Sequence, residues 1–133
     1  MELDNLPTTD GERSVMAAAA LRDMAMPLLS NAADSLGWRQ PTPEESRDGA
    51  VQSYSARALH SYGNRLAMVA IRLTSEGGPT IDLRVYCELA DAEIFNAERI
   101  VRVAAADDPE VQEWVQTQLG RCLNALQSRV RAR

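Results

Sequence analysis

Apolar residues recur at Val15, Ala18, Leu21, Ala25, Leu28, Ala32 and Leu36, the spacing of one face of a helix from Ser14 to Leu36. Gly37 supplies its stop. Pro27 removes one backbone donor inside the run, but the apolar phase continues through it, so the pattern predicts one kinked helix rather than two. At the other end of the chain, Asp108 as cap and Pro109 as first residue open a helix. Its stripe is Val111, Val115, Leu119, Cys122, Leu126 and Val130.

Between the helices the period changes. Ile81, Leu83, Val85, Cys87 and Leu89 alternate with polar or aromatic residues, which is the signature of a strand with one buried face. For residues 51–61 two readings compete. Val51, Tyr54, Ala58 and Tyr62 suit a helix, and Thr42-Pro43-Glu44-Glu45 has the form of a capping box that could start one. Register arithmetic favours a strand. If Gly63-Asn64 is a two-residue hairpin turn, Tyr62 pairs with Arg65, and His60, Ala58, Ala56 and Tyr54 fall opposite Ala67, Val69, Ile71 and Leu73. An odd-numbered turn around Gly77-Gly78-Pro79 then sets Ile71 opposite Val85 and Leu73 opposite Leu83, so that all three apolar sets share one side. Residues 38–49, with Pro41 and Pro43, read as a long connection. Residues 91–98 read as an irregular link to a fourth strand over 99–104, although Ile94, Ala97, Val101 and Ala104 also fit a helix.

The expected fold is therefore α+β in two layers: an N-terminal helix, a four-stranded antiparallel meander, and a C-terminal helix packed on the sheet. Residues 1–13 are expected as a flexible tail and 14–133 as a single domain. At 133 residues, 45% hydrophobic and 25% charged, the chain has the make-up of one globular domain, with no apolar run of the ~20 residues a membrane span needs. The acidic, polar start lacks the order of a signal peptide, and the expected location is the cytoplasm of the cell, in soluble form.

A net charge of −5 argues against nonspecific affinity for nucleic acid. All fourteen basic residues are arginine. Arg121, Arg129, Arg131 and Arg133 close the last helix and complement its macrodipole. Cys87 and Cys122 occupy apolar positions and read as buried free thiols. His60, the single histidine, has no neighbouring pattern of a metal site or catalytic relay and reads as a packed residue. No phosphate loop, nucleophile elbow, zinc signature or dinucleotide fingerprint occurs, so neither a cofactor nor a metal is implied, and catalysis ranks last.

The face of the sheet away from the helices is the more informative feature. Leu66, Met68 and Ala70 fall there beside Arg57, Leu59, Arg72, Arg84 and Tyr86, a mixture of apolar, aromatic and arginine residues typical of protein interfaces. Either the N-terminal helix or the 38–49 connection covers this face, or another molecule does. Arg72 and Arg84 would be direct cross-strand neighbours, a repulsive placement that Asp82 and Glu88 could offset. The expectation is a noncatalytic protein-binding module of the adaptor, chaperone-like or immunity type that uses the outer sheet face or an exposed sheet edge; its partner is another protein or a second copy of the chain, bound by Arg57, Leu66, Met68, Arg72, Arg84 and Tyr86. The alternative is a small-molecule pocket between sheet and C-terminal helix near Tyr54, His60 and Trp114. The helix–meander–helix order resembles topologies of secretion chaperones, immunity proteins and small ligand-binding domains alike, which is analogy of fold only.

Overall fold

The computed structural model describes residues 10–131. The chain runs through α1 (Asp10–Leu36), β1 (Thr42–Asp48), β2 (Val51–Tyr62), β3 (Arg65–Ser75), β4 (Thr80–Leu89), β5 (Ala92–Arg102), a short 3₁₀ turn (Val103–Ala105) and α2 (Pro109–Arg131). The five strands form one antiparallel sheet in sequential order.

The registers of the central strands follow from the apolar alternation. Ala58 faces Val69 across the Gly63-Asn64 hairpin, and Ile71 faces Val85 across the next one. Gly63 takes φ 65°, a conformation that a side-chain-bearing residue adopts at a cost. Residues 51–62 are therefore strand, and the helical alternative falls away.

Two strands differ from expectation. The 38–49 segment is not a loop, because Thr42–Asp48 forms edge strand β1, paired residue by residue with β2 from Thr42 opposite Arg57 to Asp48 opposite Val51. All seven of its residues are exposed, so only backbone pairing reveals it. Pro43 is tolerated because an edge strand leaves half its donors unused. The sheet accordingly has five strands, not four. Likewise β5 starts at Ala92 rather than 99, directly after a two-residue turn in which Ala90 and Asp91 both take positive φ, 53° and 66°. It ends at Arg102, and residues 103–105 are 3₁₀ rather than strand.

Helix α1 opens at Asp10, so residues 10–13 belong to it. The rest of the expected tail, 1–9, lies outside the described residues, as does Arg133. Its buried stripe is Ser14, Ala17, Ala18, Leu21, Ala25, Leu29 and Ala33. This differs by one position from the predicted Val15 at the start and, beyond Pro27, from the predicted Leu28 and Ala32, all three of which are half-buried. A four-residue step carries the stripe from Leu21 through Ala25 to Leu29 and Ala33 and keeps it over the sheet. The C-terminus is closed as a Schellman motif: Gly37 N–H donates to the Asp34 carbonyl and Trp38 N–H to that of Ala33, with the Trp38 ring buried beneath. At the start of α2 the Asp108 carboxylate accepts from the Glu110 N–H at 3.0 Å.

Both helices lie on one side of the sheet, α1 against β2 and β3, α2 against β4 and β5. A single apolar core joins their buried stripes to Tyr54, Ala56, Ala58, Val69, Ile71, Leu73, Ile81, Leu83, Val85 and Cys87.

Candidate protein-binding face

Strand alternation turns the remaining residues of each strand to the opposite side. The registers arrange them in rows. Ser55, Arg72, Arg84 and Glu98 form one; Arg57, Ala70, Tyr86 and Asn96 the next; then Leu59, Met68 and Glu88; then Ser61 and Leu66. All six residues expected to bind a partner, Arg57, Leu66, Met68, Arg72, Arg84 and Tyr86, thus lie on one face that no helix stripe touches.

Exposure divides them. Leu66 is 46% exposed and Leu59 44%, whereas Met68 is 9% and Ala70 is fully buried. Met68 and Ala70 are central and flanked in register by long side chains, Leu59 and Glu88 for the first, Arg57 and Tyr86 for the second. The stems and rings of such neighbours close over small central residues. The face is apolar beneath and polar above, and Met68 is not the exposed position that the alternation implied.

The arginines are largely tied within the sheet. Arg57 donates to the Glu44 carboxylate of β1 at 3.0 Å, and Arg84 to Glu98 of β5 at 2.6 Å. Of the two acids expected to offset the Arg72–Arg84 repulsion, Asp82 stands beside both arginines and attracts them, whereas the ion pair comes from Glu98 in place of Glu88. The guanidinium of Arg84 holds the Glu98 carboxyl below its ordinary range. Among the described residues Arg72 forms no ion pair within 4 Å. It borders a trough of about 290 Å³ lined also by Glu44, Ser46, Ser53, Ser55, Arg57 and Tyr86. Glu44 is not legible in the sequence as a member of the face because β1 carries no apolar alternation, and Glu98 because the adjacent apolar pairs Ile94-Phe95 and Ile100-Val101 blur the alternation of β5.

Beside Arg72 and Arg84, Asp82 faces Thr74 and Ile100, and its Oδ1 is buried with no hydrogen-bond partner. Desolvation, and then the nearby Glu98, push its carboxyl up. A carboxyl raised in the folded state contributes stability below its unfolded value, and this is lost as pH rises through the folded value. Asp82→Asn is therefore expected to raise the melting temperature at neutral pH, with the gain shrinking as pH is lowered through the carboxylate range; thermal unfolding at neutral and acidic pH measures it.

The alternative ligand set is distributed within the helix-covered layer. Tyr54 sits under α1, with the Arg22 guanidinium 4.8 Å from its ring centroid and its hydroxyl accepting from Gln52 Nε2 at 2.6 Å. His60, six residues along β2, stacks on Trp38 at 5.2 Å and meets Tyr62 edge-on at 4.7 Å. Trp114 packs from α2 against the core. Each is held by its own packing contacts.

Cys87 on β4 and Cys122 on α2 are both buried and unbridged. The Cys87 thiol points at the Cys122 carbonyl, 3.8 Å away. A hydrogen bond to Cys87, together with burial, holds the Cys122 thiol well above the ordinary range. Both thiols are expected to resist labelling in the native protein and to react promptly in denaturant; a thiol titration with and without urea reads this directly.

Among the described residues no group of three histidine, cysteine or acidic side chains could hold a metal, and no helix is long and apolar enough to cross a membrane. No family model, curated protein or solved structure matches the chain.

Proposed function

We propose that the protein is a noncatalytic protein-binding module, of the adaptor or chaperone-like kind, that receives its partner on the open face of the sheet and works in the cytoplasm. The observation that carries the reading is the one-sided packing. Both helices cover the same side, while the other side exposes Leu59 and Leu66 and carries Arg57, Arg72 and Tyr86 on the same face. Half-exposed leucines beside arginine and tyrosine give an apolar contact ringed by strong directional donors, the composition that protein interfaces favour. Arg72, which forms no ion pair within 4 Å among the described residues, suits an acidic side chain or carboxylate on the partner. The two buried free thiols agree with a reducing compartment.

Leu66→Asp and Arg72→Glu test it. Neither position is buried, so each variant is expected to melt close to the wild type. Affinity capture from the native cell, quantified by mass spectrometry, is expected to lose with both variants the proteins that the wild type retains. Captured proteins unchanged in both variants would remove this face from consideration.

A further inference from the structure

The two edges of the sheet are not equivalent. Edge β1 carries Pro43, which has no N–H, and Glu44, Glu45 and Asp48 against Arg47, so two copies of it repel. Such features keep an edge from pairing. Edge β5 has no proline, and its outer side holds Ile100, 57% exposed, between Glu98 and Arg102.

Val103 N–H donates to the Pro79 carbonyl at 2.9 Å, which continues the β4–β5 register one residue beyond Thr80 opposite Arg102. In an antiparallel ladder consecutive residues turn their N–H and C=O groups to opposite sides. Val101 and Arg99 therefore share the direction of Val103, toward β4, and Arg102, Ile100 and Glu98 present theirs to the open side. The bulge in this pair lies at Cys87/Glu88, outside this stretch.

The geometry points to self-association: a second copy of this chain pairs antiparallel along β5, with the two-fold axis at Ile100, to give one continuous ten-stranded sheet. Ile100 then meets Ile100 of the other copy, and Glu98 meets Arg102 on both sides of the axis. All three positions carry outward backbone donors and acceptors, so each pairing is fully hydrogen-bonded. Neighbouring registers fail on charge. An axis at Glu98 or Arg102 opposes like charges, and an axis at Arg99 or Val101 sets Ile100 against Glu98 or Arg102. Glu98 keeps its partner Arg84 and gains a second arginine across the axis. The proposal is independent of what binds the open face, although pairing would join two such faces into one surface.

Sedimentation equilibrium of the full chain from micromolar to several hundred micromolar tests it. The wild type is expected to dimerise. Arg102→Glu, which sets acid against acid twice, is expected to weaken the dimer about ten-fold or more, and the double variant Glu98→Arg/Arg102→Glu to restore it. Ile100→Pro removes only an outward N–H and is expected to give a folded monomer. Ile100→Cys is expected to cross-link to itself under oxidised glutathione, which takes up the two electrons, because hydrogen-bonded cross-strand pairs stand ~5.5 Å apart at Cα, within disulfide reach. A wild type monomeric over the whole range overturns the proposal. So does a dimer indifferent to Arg102→Glu, or one lost with Leu66→Asp and not with the edge variants, which would move self-association to the open face.

Discussion

Met68→Asp is expected to destabilise the protein by about 3 to 5 kcal/mol, the cost of an uncompensated charge placed where it is desolvated. Met68 lies on the open face, yet it is 9% exposed and stands between Leu59 and Glu88 in the register. An aspartate there has Glu88 as its direct cross-strand neighbour, so the repulsion adds to the desolvation. Leu66→Asp, two residues earlier on the same face at 46% exposure, is expected to change stability by less than about 0.5 kcal/mol. Met68→Leu, which keeps volume and character, is expected to cost less than about 1.5 kcal/mol. Urea unfolding of the four proteins measures the series. Equal stability of Met68→Asp and wild type would mean that the long side chains do not close over the centre of the face.

What separates Met68 from Leu66 could not be read from alternation, which assigns a residue to a face but not to a depth. Depth is set by neighbouring chains, and Ala70, on a central strand, stands in register between the long side chains of Arg57 and Tyr86. The same limit explains the strands. β2, β3 and β4 were legible because apolar residues alternate and glycine marks two of their turns, so one register satisfies all three. β1 has no inward apolar residue to betray it, being held by backbone bonds to β2 and by the Arg57–Glu44 pair. The β4–β5 turn uses Ala90 and Asp91 at positive φ, a geometry that asparagine-glycine or aspartate-glycine usually signals. In α1, Leu28 with Ala32 and Leu29 with Ala33 offer two stripes of equal quality. Only contact with the sheet chooses the second. The open face of the sheet was therefore legible as a set of residues, while its acidic members Glu44 and Glu98 waited on the two strands that supply them.

The alanine content of the core makes one position unusually costly to truncate. Ile71 is fully buried at the middle of β3, between Ala56 of β2 and Val85 of β4 in the register. The layer above is built from Ala17, Ala18, Ala25 and Ala33 of α1, with Leu21 and Leu29 as its large members. Truncating a buried isoleucine removes its transfer free energy and leaves a cavity whose cost depends on how far neighbours can move in. Alanines have no side chain to swing, and a sheet bonded on both sides of β3 resists collapse. Ile71→Ala is therefore expected to fall in the upper half of the usual range, about 4 kcal/mol, and Ile71→Val to cost about 1 kcal/mol. Against a total of about 5 to 15 kcal/mol for a domain, the first loss leaves a marginal fold. Ile100→Ala, the same chemical change at the exposed edge, is expected to stay within about 0.5 kcal/mol in the monomer. Urea midpoints at a protein concentration too low for self-association separate the three, and an Ile71→Ala loss below about 2 kcal/mol would show that α1 settles onto the sheet to fill the gap.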